Sequence, residues 1–303
     1  MLKNLLSVNL ITRETIEHII EQAFSFKEIN RRAIKKVPTL RGKTVVTCFY
    51  EPSTRTRMSF EIAAKRLSAD TINISKTGSS VEKGETLVDT VKNIEAMGLD
   101  ILIMRHPASG APFLASEVLN SPVVNAGDGI NEHPTQALLD AMTIIEKKGS
   151  LDGLNVLIAG DILHSRVARS NIYLLSKFDV NINIFSPPMM CPRDIRQMNV
   201  NIVEDFTEAV KKADVVMLLR VQMERQSRVI FPSIREYSRF FGFPRDFLKF
   251  MKKDSILMHP GPINRGVELN HFAADSEVSV ILEQVENGVA LRMAVLYLLA
   301  GRG

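Results

Sequence analysis

Tryptophan is absent from this 303-residue chain, and cysteine occurs only twice, at Cys48 and Cys191. Two isolated cysteines make neither a disulfide framework nor a zinc cluster. They point instead to a reducing compartment, read here as the cytoplasm, and to no bound metal. Cys48 lies in the apolar run Thr44–Tyr50, where a buried, inert thiol is the ordinary expectation. Long apolar runs are also lacking. Stretches such as Val215–Leu219 and Val295–Ala300 fall far short of the roughly 20 residues of a spanning helix, so no membrane association is expected. The opening Met1-Leu2-Lys3-Asn4 leads into helical spacing without the apolar core of a secretory signal. Neither sign of charge dominates, since 38 basic against 34 acidic residues leave a formal +4. The basic excess at Arg31, Arg32, Lys35, Lys36, Arg41 and Lys43 has no aromatics interleaved, which suits a solvated helix end and not a nucleic-acid surface. Solenoid repeats and low-complexity tracts are missing as well.

What is present is an alternation of short β-branched runs with longer helical stretches. Expected strands are Thr44–Tyr50, Thr71–Ile74, Ile101–Met104, Pro122–Asn125, Asn155–Ala159, Asn181–Phe185, Asp214–Leu219 and Ser255–Met258. Several are apolar throughout, as strands buried on both faces should be. Helices are expected at Thr12–Ile34, Thr54–Leu67, Glu85–Met97, Pro134–Lys147, Arg166–Ser176, Phe206–Lys212 and Val289–Leu299. Phe60, Ala63, Ala64 and Leu67 give the second of these an apolar stripe for packing on a sheet. Strand–helix alternation argues for parallel sheets covered on both faces. It occurs in two rounds, separated by Lys147-Lys148-Gly149-Ser150-Leu151-Asp152-Gly153. The fold expected is therefore α/β, two doubly wound parallel-sheet domains with the active site in the cleft between them.

The strongest local motif is Glu51-Pro52-Ser53-Thr54-Arg55-Thr56-Arg57, set between a buried strand and an amphipathic helix. The unpaired N–H groups of a helix's first turn, its dipole and three hydroxyls converge where an anion can sit. Arg55 adds a fork suited to phosphate oxygens, whereas Arg57, two residues on, lies on a different face and reads as a structural ion-pair partner. The polar loop Ser79-Ser80-Val81-Glu82-Lys83-Gly84-Glu85 could close over a charged ligand or be an ordinary exposed loop. Arg105 follows a buried strand in Met104-Arg105-His106-Pro107. In Asn125-Ala126-Gly127-Asp128-Gly129-Ile130-Asn131-Glu132-His133-Pro134-Thr135-Gln136, glycines loosen the backbone after a strand, and His133 and Gln136 project from one side of a helix start. A histidine and an amide together can hydrogen-bond a carbonyl and an NH2 group, although a lone His-Pro is often structural.

In the second round, Gly160-Asp161-Ile162-Leu163-His164-Ser165-Arg166 occupies the turn where a dinucleotide fold places its glycines. No G-x-G-x-x-G is present, which argues against nicotinamide binding, and no cofactor is expected. Arg166 there suits a carboxylate, as does Arg220 in Arg220-Val221-Gln222-Met223-Glu224-Arg225 after another strand. His259-Pro260-Gly261-Pro262 forms a rigid turn whose isolated role is structural.

Six ordered motifs together resemble the aspartate/ornithine carbamoyltransferase family over nearly the full length. They are Ser-Thr-Arg-Thr-Arg, Met-Arg-His-Pro, His-Pro-Thr-Gln, Gly-Asp-x-x-x-Ser-Arg, Arg-Val-Gln-x-Glu-Arg and His-Pro-Gly-Pro. The resemblance implies a carbamoyl-phosphate-binding domain at 1–132 with a C-terminal helix 284–303, a linking helix 133–149 and an aspartate-binding domain 150–283. It implies that Ser53, Thr54, Arg55 and Thr56 hold the phosphate. Thr56, Arg105 and His133 would polarise the carbamoyl oxygen, and Gln136 with the backbone at Gly261 and Pro262 would receive the carbamoyl nitrogen. Arg55, Thr56, Arg105 and His133 make up the implied catalytic set.

On the same resemblance Lys83, Arg166, Arg220 and Gln222 hold aspartate, and Ser79 and Lys83 belong to a loop inserted into a neighbouring subunit's site. That implies a homotrimer with shared active sites, and leaves room for a regulatory chain or another pyrimidine-pathway enzyme as partner. Three features favour L-aspartate over ornithine as the partner of carbamoyl phosphate. They are the Lys83 loop, the absence of cysteine from His259-Pro260-Gly261-Pro262, and the cation of Arg220.

Overall fold

The computed structural model describes residues 2–75, 84–222 and 233–301. The chain divides into two compact units, Met1–Leu139 with Glu286–Gly303, and Asp140–Val285.

In the first unit the order is α1 (Arg13–Asn30), β1 (Thr44–Phe49), α2 (Thr54–Arg66), β2 (Asp70–Ser75), α3 (Leu87–Ala96), β3 (Ile101–His106), α4 (Ala111–Val118) and β4 (Val123–Asp128). The four strands form one parallel sheet in the order β2-β1-β3-β4. Alternate residues of a strand face opposite ways. Val46, Cys48 and Tyr50 thus join Leu102, Met104 and Val123 in a cluster packed by Val91 and Ile94 of α3 and Ala111 and Ala115 of α4.

Helix α1 was expected to reach Ile34, but it ends at Asn30. The residues beyond are largely cationic, and Ile34 is exposed, so no apolar face extends the helix. Helix α4 was not expected. Gly110, in the left-handed region at φ 86°, supplies its N-cap, and the Gly-Ala-Pro start resembles a loop in sequence.

The chain continues through α5 (Pro134–Lys148) into the second unit. There follow β5 (Asn155–Ala159), α6 (Arg166–Leu175), β6 (Asn181–Phe185), β7 (Asn201–Ile202), α7 (Phe206–Lys212), β8 (Val215–Leu218), α8 (Ile234–Phe241), β9 (Ile256–Met258), α9 (His271–Ala274) and α10 (Ile281–Ala300), of which the residues from Glu286 on belong to the first unit. These five strands are again all parallel, in the order β7-β6-β5-β8-β9. Aromatics fill one side of this core, with Phe185 stacked on Phe206 at 4.3 Å between centroids.

The final helix starts at Ile281, not at Val289 as its sequence suggested. Gly288 lies inside it, with the Arg292 guanidinium packed against it and donating to its carbonyl at 3.0 Å. No described helix is long and apolar enough to cross a membrane.

Candidate active site

Each sheet reverses its direction of winding once, and ligands of such folds gather beyond the carboxyl ends of the strands at that reversal. In the first unit it falls between β1 and β3, whose carboxyl ends lie in register at Phe49 and Arg105. The Tyr50 N–H donates to the Arg105 carbonyl at 2.9 Å, extending the pairing by one residue before the chain turns into α2.

Ser53 is the N-cap of α2, with extended backbone, yet its hydroxyl makes no capping bond, and no acidic residue stands in the first turn. Helices α1, α3, α7 and α8 do the opposite. Thr12, Thr86, Asp205 and Ser233 each cap, and each is followed by Glu14, Asp89, Glu208 or Glu236 in the first turn. An acidic first turn offsets the helix dipole, and α2 forgoes that offset while carrying Arg55 and Arg57. Arg55 is exposed and Thr56 buried.

The Arg105 guanidinium reaches Glu51 Oε1 at 3.1 Å and the Ala126 carbonyl at 3.4 Å. Glu51 therefore fixes the fork that its own loop faces, and Ala126 ties it to β4. Next to it, His106 Nδ1 accepts the Ala108 N–H at 3.0 Å, and its ring meets Tyr50 edge-on at 5.3 Å. Burial pushes the His106 imidazole pKa down.

At the end of β4, the fully buried Asp128 organises the turn that delivers His133. Its carboxylate accepts Gly110 N–H at 2.7 Å, Asn125 Nδ2 at 2.8 Å, Glu132 N–H at 3.1 Å and Asn131 Nδ2 at 3.1 Å. Glu132 in turn accepts the Val8 N–H at 3.0 Å and the Ser7 hydroxyl, anchoring the N-terminal segment. His133 is buried directly before Pro134 at the start of α5, and its carbonyl accepts the Gln136 N–H at 2.9 Å. The start of α2 at Ser53–Thr56, Arg105 and the start of α5 at His133–Gln136 thus lie at or just beyond the carboxyl ends of three adjacent strands, β1, β3 and β4.

In the second unit the reversal falls between β5 and β8, paired from Val156↔Val215 to Ala159↔Leu218. Gly160 follows β5 at φ +127°, and a Cβ there would stand 2.9 Å from the Leu219 carbonyl oxygen, so glycine permits this close approach. The fully buried Asp161 accepts the His164 N–H at 3.2 Å, His164 Nδ1 at 2.9 Å and the Gln222 N–H at 3.4 Å. One carboxylate thereby joins the two loops of the reversal. Ser165 caps α6 through the Ala168 N–H, and the buried Arg166 is its first helical residue. Arg220 and Gln222 follow β8.

Beyond β9, His259 Nδ1 accepts the Gly261 N–H at 2.8 Å, which leaves the ring proton on Nε2, 3.3 Å from Glu268 Oε1. That carboxylate oxygen also accepts the Asn264 N–H at 2.6 Å, and Asn264 Nδ2 reaches the Val221 carbonyl at 3.3 Å. The Gly261–Pro262 turn, whose peptide bond is cis, is thus fastened to the loop after β8.

Of the sequence-derived site residues, Ser79 and Lys83 lie outside the described residues. The organising carboxylates Glu51, Asp128, Asp161 and Glu268 were not singled out in sequence. Each lies within or a few residues from a chosen motif, and that proximity is the only signal that could have found them. Among the described residues no group of three or more His, Cys, Asp or Glu could hold a metal ion.

Two parallel α/β units, one offering an uncompensated helix N-terminus beside a guanidinium and the other two arginines at its switch point, define a protein built for anionic small molecules. The chain belongs to the aspartate/ornithine carbamoyltransferase family. Residues 3–146 match that family's carbamoyl-P binding domain and residues 152–299 its Asp/Orn binding domain. The aspartate carbamoyltransferase catalytic subunit of Syntrophus aciditrophicus is 56% identical over 299 residues, spanning 99% of this chain and 97% of its own. The solved catalytic subunit of M. jannaschii aspartate transcarbamoylase is 36% identical, with a TM-score of 0.87 over 99% of this chain and 98% of that one. Aspartate transcarbamoylase from Trypanosoma cruzi, solved with carbamoyl phosphate and aspartate, is 30% identical with a TM-score of 0.88, covering 97% and 96%.

Proposed function

We propose that this chain transfers the carbamoyl group of carbamoyl phosphate to the amino group of L-aspartate, giving N-carbamoyl-L-aspartate and phosphate, a step of de novo pyrimidine biosynthesis. The observation that carries the reading is the α2 N-terminus, left without a side-chain cap or an acidic first turn and set beside Arg105. Full-length similarity to aspartate carbamoyltransferase catalytic subunits supports the choice of reaction.

In this reading the first unit binds carbamoyl phosphate. Ser53, Thr54, Arg55 and Thr56 hold its phosphate, and donors from Thr56, Arg105 and His133 meet the carbonyl oxygen as attack makes it negative. Gln136 and the backbone at Gly261 and Pro262 take the carbamoyl nitrogen. Arg166, Arg220 and Gln222 of the second unit hold the two carboxylates of aspartate, with Lys83 completing that set. The aspartate amine attacks the carbamoyl carbon, the bond to the bridging oxygen breaks, and Arg55 offsets charge on the departing phosphate, which takes the amine proton. Much of the rate comes from orienting two anionic substrates.

Ser79 and Lys83 enter a neighbouring copy's site in a homotrimer, which a regulatory chain or a second pyrimidine-pathway enzyme can join. The free thiols of Cys48 and Cys191 support a cytoplasmic location.

The test is product formation from carbamoyl phosphate with L-aspartate and L-ornithine in parallel. Carbamoyl-aspartate alone is expected. Turnover of ornithine, or of neither amine, overturns the assignment of Arg220 and of the Lys83 loop.

A further inference from the structure

Four polar groups lie in a continuous chain beneath the loops of the second unit. Asp140 of α5 is fully buried, and its carboxylate accepts Asn171 Nδ2 of α6 at 2.9 Å and Gln284 Nε2 of α10 at 2.7 Å. The other end of the Gln284 amide, Oε1, accepts the backbone N–H of His259 at 3.0 Å. Asn171 donates as well to the Val167 carbonyl one turn back, at 3.0 Å. Asn171, Gln284 and His259 are each at most 3% exposed.

The directions of these bonds are fixed by chemistry. A carboxylate only accepts, so both amides must turn their NH2 groups toward Asp140. Gln284 must then turn its oxygen toward His259, and rotating that amide would oppose two donors at one end and an oxygen to the carboxylate at the other. A buried carboxylate is costly, and apolar side chains would pack three helices at lower cost. Apolar burial is non-directional, whereas charge-assisted bonds add geometric specificity.

The two ends of the chain matter for the site. Asn171 lies on the helix whose first residue is Arg166. His259 begins the turn that carries Gly261 and Pro262 and accepts the Gly261 N–H through Nδ1. We infer that Asp140 is a positioning residue for carbamoyl transfer. Through Asn171 and Gln284 it sets Arg166 and the Gly261–Pro262 turn in fixed relation to one another. The inference deepens the proposed function and rests on it. Asp140 touches no substrate.

The experiment compares the full-length unaltered chain with Asp140→Asn, Gln284→Met and their combination. Asp140→Asn replaces one acceptor oxygen with a donor, and Gln284→Met keeps the length of the side chain but breaks both of its bonds. Each is read for steady-state kinetics with aspartate, for equilibrium binding of inorganic phosphate, and for thermal unfolding. The expected result is a rise in the aspartate KM of at least about tenfold and a fall in kcat/KM approaching about 10²-fold, the scale of a small misplacement of binding groups. Phosphate binding should stay within about twofold, and the double variant should lose little more than the worse single one, because both cut one link.

A purely structural role gives a different pattern. Loss of folded protein lowers apparent kcat and phosphate-binding capacity together and leaves the aspartate KM unchanged, and that pattern overturns the inference. Additive effects in the double variant overturn it too. If Asp140→Asn does not fold, Gln284→Met alone decides. Failure of the underlying reading shows separately, as no carbamoyl-aspartate from the unaltered chain, and takes the inference with it.

Discussion

Phe49 at the end of β1 stands in parallel register with Arg105 near the end of β3. The loop entering α2 and the Arg105 guanidinium therefore leave the sheet side by side, and Glu51 of that loop holds the guanidinium at 3.1 Å. A lysine at this place keeps the charge but not the planar fork that reaches both Glu51 and the Ala126 carbonyl. Arg105→Lys should lower kcat by about 10²- to 10³-fold, the usual loss for one donor to a developing oxyanion. A rapid-quench or steady-state assay of carbamoyl-aspartate formation measures it, and near-normal kcat would remove Arg105 from the transition state.

Arg55 stands in the first turn of α2, a turn that contains no acidic residue. If its charge is used chiefly as phosphate departs, Arg55→Ala should depress kcat about 10²-fold or more while weakening carbamoyl-phosphate binding less than about tenfold. Substrate titration set against turnover separates the two. Equal losses in both would mean that Arg55 serves ground-state binding only.

The sheets were legible in sequence because their central strands, such as Ile101–Met104 and Asn155–Ala159, are apolar runs, and the parallel order follows from the alternation with helices. Much of the site was legible for a related reason. The residues proposed to bind anions sit at strand ends and helix starts, which local patterns mark. The carboxylates that organise those residues were not legible. Asp128 binds the N–H of Gly110, 18 residues away, and Asp161 binds that of Gln222, 61 residues away. No periodicity records a bond between a side chain and a distant backbone N–H. Helix α10 was read too short for a local reason, since Gly288 looks like a break until the Arg292 guanidinium packed against it one turn on is known.

The buried thiol of Cys48 gives a stability signature in pH. Desolvation raises its pKa from 9.0 to about 11, and the Tyr50 hydroxyl bonded to it at 3.9 Å only partly offsets that. The folded state thus holds the thiol proton more tightly than the unfolded chain does. The contribution is fully present below pH 9.0 and is lost as pH rises toward about 11. Burial pushes the Tyr50 hydroxyl up as well, which extends the decline to higher pH. Cys48→Ala removes one titrating group. In denaturant titrations its stability should fall less steeply than that of the unaltered chain between those limits, by up to about 1.4 kcal/mol per pH unit. Parallel curves for the two proteins would show that Cys48 ionises as freely folded as unfolded.

Gly160 tests whether the apposition of β5 and β8 is what places the arginines proposed to hold aspartate. Its φ of +127° and the 2.9 Å from an added Cβ to the Leu219 carbonyl oxygen mean that Gly160→Ala must move backbone, because no flexible side chain can yield. The displaced segment is the one that runs into Arg220, and the same push disturbs Asp161, which joins the two loops through the Gln222 N–H. The strain should cost about 1–3 kcal/mol and lower the unfolding midpoint by several degrees. The aspartate KM should rise by about tenfold or more, with phosphate binding held to within about twofold. Gly153→Ala supplies the control, since Gly153 also has positive φ, at +80°, but its added Cβ would meet nothing within 4 Å. That variant carries conformational strain without displacement, so it should lose stability while keeping its aspartate KM. If the two variants shift KM alike, the close approach at Leu219 is incidental to Arg220. A shift confined to Gly160→Ala ties aspartate affinity to a contact that only glycine allows.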